Sequence, residues 1–146
     1  APPDTVEDKA RDAMRIAAAG VPRRLLYVED NPANLQLMRE LVAELPGFTL
    51  ASAPTAEIGI EVAAMTQPDV IVLDVNLPGM NGIEALGLLK ADPRTSRIPV
   101  IALSANVNPS VIRRGVEAGF LHYLAKPLDI SLFLRIVAEL CSGPPA

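Results

Sequence analysis

The chain has 146 residues, half of them apolar and 21% charged, with a net charge of -4 and a pI near 5.0. That composition suits one globular domain and disfavours direct binding to nucleic acid or to an anionic membrane, either of which wants a basic face. No run approaches the roughly 20 apolar residues of a membrane span, no charged-then-apolar signal peptide opens the chain, and a single cysteine, Cys141, excludes an internal disulfide or a multi-cysteine zinc site.

The expected setting is therefore cytoplasmic, and opening on Ala1 suits a piece cut from a longer protein. Residues 1–23 read as an N-terminal linker or extra helix: Val6, Ala10, Ala13 and Ala17 share one helical face, and Asp4 or Thr5 can cap it. A regular alternation follows. Leu25-Leu26-Tyr27-Val28 is a short apolar strand ending in Glu29-Asp30, and Asn31-Pro32 pairs a cap residue with proline at the first helical position. Leu35, Met38, Val42 and Leu45 form the inward face of that helix, which Pro46-Gly47 ends. Phe48 to Ala51 is a second strand; Thr55 caps a helix expected to bury Ile58, Val62 and Met65. Val70 to Leu73 is a third strand, four apolar residues with buried-strand character, and it runs into Asp74. Asn81 caps a helix expected to turn Ile83, Leu86 and Leu89 inward; Pro99 to Leu103 is a fourth strand ending at Ser104. Asn108-Pro109 repeats the cap-plus-proline device for a helix running to Gly119, a C-terminal stop. Phe120 to Leu124 is a fifth strand leading to Lys126-Pro127, and Asp129 caps a last helix with Leu132, Phe133, Ile136, Val137 and Leu140 inward. Residues 142–146 read as a tail.

Five strands alternating with five helices predict an α/β fold with a parallel sheet covered on both faces. The flavodoxin-like order 2-1-3-4-5 gathers the ends of strands one, three, four and five at the switch point, where open α/β sheets place their chemistry. Those ends carry Glu29-Asp30, Asp74, Ser104 and Lys126. Crowded carboxylates repel one another, and an oxygen-only ligand set favours Mg²⁺, with Mn²⁺ as the alternative, over zinc. A phosphoryl group completes such a site. Lys126 can pair with Asp74 at rest and with a phosphoryl oxygen later, Ser104 offers a hydroxyl donor, and a carboxylate nucleophile such as Asp74 can form an acyl phosphate.

Each residue has a plainer reading alone. Asp74 can cap its turn, Glu29-Asp30 can be acids favoured at a helix N-terminus, Lys126 can be a solvated lysine, and Tyr123 a half-buried strand aromatic. His122, the only histidine, reads as a surface residue rather than a phosphodonor. A flavin-binding module of this topology would want a Gly/Ser/Thr-rich phosphate loop after the first strand, where Glu29-Asp30-Asn31-Pro32 stands. An Asp phosphohydrolase would want a second acid where Asn76 stands, and a cap domain besides.

Taken together, Val28-Glu29-Asp30-Asn31-Pro32, Asp74 with Leu77-Pro78-Gly79-Met80-Asn81-Gly82, Ser104-Ala105 and Tyr123-Leu124-Ala125-Lys126-Pro127 resemble the receiver domain of two-component response regulators. The resemblance covers roughly residues 24–141, and the Glu-Asp-Asn-Pro-x-Asn run is similar to receivers of hybrid histidine kinases. It implies that Asp74 is the phosphoacceptor, that Asp30 binds Mg²⁺ directly and Glu29 through water, and that the Asn76 main-chain carbonyl is the remaining protein ligand. It further implies that Lys126 contacts the phosphoryl group, that Lys126-Pro127 is a cis peptide, and that Ser104 and Tyr123 are the switch hydroxyl and aromatic. Glu29 stands where Asp is commoner and Ser104 where Thr is commoner; Asn76 and Asn106 flank the phosphoryl position, where the family tunes phospho-Asp hydrolysis.

The function so implied is a phosphorylation-controlled switch, an enzyme only toward its own phosphorylation and dephosphorylation. The expected partners are a histidine kinase or histidine phosphotransfer protein docking near the first helix (Asn34 to Glu44, with Arg39 and Glu40), and a downstream protein on the face of the fourth helix, fifth strand and fifth helix. No direct nucleic-acid contact or membrane insertion is expected. The rival function is a receiver-fold interaction module that is never phosphorylated.

Overall fold

In the computed structural model, residues 22–45 and 47–141 are described. Of the expected N-terminal linker or helix over residues 1–23, residues 1–21 lie outside them, as does the 142–146 tail, whereas Arg23 belongs to β1, paired with Phe48. The elements run β1 (Arg23–Val28), α1 (Pro32–Ala43), β2 (Phe48–Ala53), α2 (Ala56–Thr66), β3 (Val70–Asp74), α3 (Gly82–Ala91), β4 (Val100–Ser104), α4 (Pro109–Ala118), β5 (His122–Ala125) and α5 (Ile130–Cys141). All strands are parallel, in the order β2-β1-β3-β4-β5. The expected architecture is the observed one.

Strand alternation divides the core into two layers. Leu25, Tyr27, Val70, Val72, Ile101 and Leu103 pack under α1 and α5 against Met38, Val42, Phe133 and Val137. Leu26, Val28, Ile71, Leu73, Val100 and Ala102 face the opposite layer with Ala63, Leu86, Leu89 and Phe120. Covered on both sides, β3 and β4 are buried at every position, as a central parallel strand requires.

Every helix among the described residues starts at the edge where the strands end, and each start is capped by a side chain. Asn31 accepts from Ala33 N–H at 2.8 Å, Thr55 from Ile58 N–H at 3.1 Å, Asn81 from Glu84 N–H at 2.8 Å, Asn108 from Val111 N–H at 3.0 Å and Asp129 from Leu132 N–H at 3.1 Å. Each such cap is worth about 1 kcal/mol. Together they place five helix N-termini, with their partial positive charge, around one sheet edge.

Two inward faces differ from expectation. In α2, Ile58 is 43% and Met65 81% exposed, while Ala56, Gly59, Ala63 and Ala64 are buried. The helix lies so close to β1 that a Cβ on Gly59 would stand 2.7 Å from Val28 Cγ2, so small residues fill the contact and Ile58 and Met65 turn outward, while Ile60 and the expected Val62 pack partly buried at its margin. In α3, Gly82, Ala85, Leu86 and Leu89 make the inward stripe; Ile83, about 100° round the helix from Gly82, is exposed. The strand bounds also shift. β2 extends two residues past Ala51, β4 starts at Val100 and β5 at His122, with Phe120 buried ahead of it. His122, expected at the surface, is half-buried, as are Tyr123 and Leu124 beside it in this edge strand. Among the described residues no helix is long and apolar enough to cross a membrane.

Candidate functional site

Asp74 is the last residue of β3, and Glu29 and Asp30 directly follow the neighbouring strand β1. Register aligns Val28 with Leu73, so the acids emerge side by side. Glu29 is fully buried, Asp74 is 5% exposed, and Asp30 faces solvent. Each can offer one oxygen to a common point, these oxygens all lying within 4.8 Å of one another. Lys126 reaches across the end of β4 from the loop after β5. Its Nζ lies 2.7 Å from Asp74 Oδ2 and 3.0 Å from Glu29 Oε1. Its backbone N–H is anchored on the Ser104 carbonyl at 2.8 Å, and the Lys126–Pro127 peptide is cis, as the resemblance implied.

Three carboxylates against one ammonium leave an excess of negative charge, and its distribution follows from the surroundings. Burial raises the pKa of Glu29, helped by the neighbouring Asp74 carboxylate, while Lys126 and Asn34 oppose the rise. Burial also works to raise Asp74, but the adjacent Glu29 carboxyl, the Lys126 ammonium and the Asn76 N–H, the last at 2.8 Å, outweigh it and hold this carboxyl below the usual range. For Lys126, burial alone would lower the pKa; Asp74 and Glu29 overcome it and raise the value. Asp74 is thus the carboxylate kept ionised, and Glu29 the one that holds a proton more readily. The donor set is all oxygen and contains no thiolate or imidazole, so it fits a hard divalent cation.

The other expected residues lie around this cluster. Ser104, buried at the end of β4, donates its hydroxyl to the Asn106 carbonyl at 3.0 Å and accepts the Asn106 N–H at 3.1 Å, so the group is engaged within its own loop. The Asn76 side chain is exposed, and its Oδ1 accepts the Ala105 N–H at 2.9 Å, tying the loop after β3 to the loop after β4. Tyr123 stands edge-on to Phe120, ring centroids 5.8 Å apart, and lies against Gly115, where a Cβ would come within 2.3 Å of its Cδ2. With Asn76, Ser104, Asn106 and Arg114 it lines an open groove of about 450 Å³ beside the acidic cluster.

Two neighbours of the cluster went unnoticed in the sequence. Tyr27 donates its hydroxyl to Glu29 Oε1 at 3.2 Å, and Asn34 donates its amide to the same oxygen at 2.7 Å. Strand alternation could have found Tyr27, two residues before Glu29 and so on the same face; Asn34 closes the Glu-Asp-Asn-Pro-x-Asn run, but nothing in that run assigned it a bond to Glu29.

Comparison with known proteins bears on the whole arrangement. The family model of the response regulator receiver domain matches residues 25–138. Response regulator PleD of Caulobacter vibrioides is 36% identical over 115 residues, covering 77% of this chain and 25% of PleD. The polar-differentiation response regulator DivK of Brucella anthropi is 30% identical over 117 residues, covering 80% of this chain and 94% of DivK. This chain therefore spans nearly all of DivK but about a quarter of PleD. Among solved structures, the receiver domain of the sensor histidine kinase PA1611 from Pseudomonas aeruginosa, with magnesium coordinated in its active-site cleft, superposes with a TM-score of 0.74 at 28% identity, covering 83% of this chain and 98% of that domain. With its acidic strand ends, its strand order and these matches, the chain belongs to the response regulator receiver domain family, the switch modules of two-component signalling.

Proposed function

We propose that this chain accepts a phosphoryl group on Asp74 from a partner phosphohistidine, in the presence of Mg²⁺, and that the phosphorylated form presents a changed surface to a downstream protein. The observation that carries the reading is the Glu29–Asp30–Asp74 cluster with Lys126 bridging two of its members. Asp30 and Asp74 would hold the cation directly, Glu29 through water, and the Asn76 carbonyl would complete the protein's share; Mn²⁺ could replace Mg²⁺. When bound, the cation supplies charge neutralisation for carboxylates and phosphoryl oxygens.

The chain's own residues do the rest. A carboxylate oxygen of Asp74, kept ionised by its neighbours, forms the new O–P bond as the P–N bond of the donor breaks and the imidazole leaves with that electron pair. Lys126 stays within reach of the transferred oxygens and exchanges its ion pair with Asp74 for one with the phosphoryl group. Ser104 would give up its bond to the Asn106 carbonyl to donate to the phosphoryl group, and Tyr123 would turn inward in step. This is a shift between two states of one fold. The donor is a histidine kinase or phosphotransfer protein docking beside α1, around Arg39 and Glu40, and the changed face is that of α4, β5 and α5. Within this reading the receiver unit is residues 24–141 together with Arg23, which opens β1, the residues before it are the connector and 142–146 a tail, and the chemistry is confined to the chain's own phosphorylation and dephosphorylation in a cytoplasmic setting.

The test is incubation with acetyl phosphate and Mg²⁺ followed by intact mass. Wild type should gain one phosphoryl group and Asp74→Asn none. No gain on wild type would instead favour a receiver-fold interaction module that is never phosphorylated.

A further inference from the structure

We infer that Tyr27 and Asn34 are positioning residues that hold Glu29 to a single free oxygen and so set the preference of the site for a small six-coordinate cation over a larger one. The inference rests on reading the acidic cluster as a magnesium site.

Oxygen-by-oxygen accounting carries it. Glu29 Oε1 receives three donors: the Tyr27 hydroxyl at 3.2 Å, the Asn34 amide at 2.7 Å and the Lys126 ammonium at 3.0 Å. A carboxylate oxygen offers about two lone-pair sites, so Oε1 is saturated and has none left for a cation. Oε2 receives only the Asp30 N–H at 3.2 Å and keeps acceptor capacity. The three donors differ in permanence. Lys126 sits on a long arm, 22% exposed, and is shared with Asp74. Tyr27 is 3% exposed in the sheet core, and Asn34 lies in the first turn of α1, where its own N–H is fixed by the Asn31 cap at 3.2 Å. When Lys126 turns to a phosphoryl oxygen, two rigid donors remain on Oε1.

The consequence concerns coordination number. Ca²⁺ takes six to eight oxygens and commonly uses a carboxylate through both oxygens, whereas Mg²⁺ demands a near-octahedral six. A Glu29 with one oxygen withheld can serve as a one-oxygen acceptor for the cation or for its bound water, and cannot supply the second oxygen that a larger ion would use. The buried tyrosine hydroxyl itself needs a partner, and the one it has is this carboxylate.

The experiment measures Mg²⁺ and Ca²⁺ affinities of wild type, Tyr27→Phe and Asn34→Ala by calorimetry, with thermal unfolding as the check on folding. Outer-sphere partners of a metal site typically cost 10–100-fold in affinity when removed. Each variant should lose roughly 10-fold in Mg²⁺ affinity and lose less, or gain, for Ca²⁺, so that the Mg²⁺/Ca²⁺ ratio falls. Asn34→Ala alone decides the matter should Tyr27→Phe fail to fold. A second readout uses tyrosine emission: the chain has two tyrosines and no tryptophan, so in Tyr123→Phe the signal is that of Tyr27 alone, and Mg²⁺ should change it. An unchanged ratio in a folded variant, or Tyr27 emission indifferent to saturating Mg²⁺, overturns the inference. If wild type binds Mg²⁺ and takes up phosphoryl while the ratio stays fixed, only the positioning role fails; if wild type binds no Mg²⁺, the reading of the cluster fails with it.

Discussion

Replacing Lys126 by methionine removes the one cation that joins the two buried carboxylates while keeping an arm of similar length. In the wild type the ammonium lies 2.7 Å from Asp74 and 3.0 Å from Glu29, whose side chains are 5% and 1% exposed. Removing one partner of a buried ion pair costs about 3–5 kcal/mol, because the charge left behind is uncompensated. Lys126 is itself 22% exposed, and Glu29 can relieve the imbalance by taking up a proton. Both facts place the variant at the lower end, about 3 kcal/mol, which is roughly 10 °C in Tm for a domain of this size.

Magnesium should stabilise the two proteins unequally. In wild type the ammonium already occupies part of the carboxylates' field, so cation and lysine compete. In Lys126→Met nothing competes, and saturating Mg²⁺ should return most of the loss, about 2.7 kcal/mol once its concentration reaches about 100 times the Kd. The assay is urea unfolding followed by circular dichroism, with EDTA and with saturating Mg²⁺. A variant within about 0.5 kcal/mol of wild type in EDTA, the range of an ordinary surface substitution, would refute the charge-bridging account. So would an equal Mg²⁺ increment in both proteins. Adding Asp74→Asn to Lys126→Met should recover stability by removing the stranded charge, a coupling that a double-mutant cycle reads directly.

Three further outcomes are expected. Glu29 has its pKa raised by burial and by the neighbouring Asp74 carboxylate, so above the usual carboxyl range the folded metal-free chain holds a proton that the unfolded chain has lost; stability in EDTA should fall as pH rises through that window, and the gain from Mg²⁺ should grow, whereas Asp74, held low, costs stability only at pH below the usual Asp range. A metal-free Tm rising across the Glu29 window would contradict this. Gly115→Ala puts a Cβ 2.3 Å from Tyr123 Cδ2; overpacking of about 1–3 kcal/mol against about 1 kcal/mol of gained helix propensity predicts a net loss near 1 kcal/mol and displaced Tyr123 ring resonances, and unmoved resonances would show the contact to be slack. Asn76→Ala removes the acceptor for the Ala105 N–H at 2.9 Å, so hydrogen exchange at Ala105 should quicken, and an unchanged rate would mean the two loops are not joined there.

The fold was legible because its signals are local and repeated. Five capped helix starts and the apolar runs at Leu25, Val70 and Val100 fix an alternation that right-handed crossovers turn into one sheet order. What failed was the orientation of α2 and α3. A hydrophobic stripe is read by assuming that the largest apolar residues face inward, and at α2 the separation from β1 is set by Gly59 on Val28, so Ile58 and Met65 lost to Ala56, Ala63 and Ala64. Interelement distance is a property of two segments together, and periodicity within one segment does not carry it.

The same distinction runs through the site. Strand-end position and charge were enough to gather Glu29, Asp30, Asp74 and Lys126, because a parallel sheet brings the ends of its strands to one edge whatever the side chains do. Which oxygen of Glu29 is taken and which is left open depends instead on a tyrosine inside the strand and an asparagine in the first turn of α1, whose bonds to Glu29 neither periodicity nor charge reveals. A pair of acids at a strand end therefore marks where a cation would go, while its coordination is governed by neutral neighbours that carry no charge signature. In this chain Tyr27 and Asn34 both donate to Glu29 Oε1, and on the inference above they would leave the longer acid one free oxygen toward a cation or its bound water, the outcome that the Mg²⁺/Ca²⁺ comparison in their variants decides.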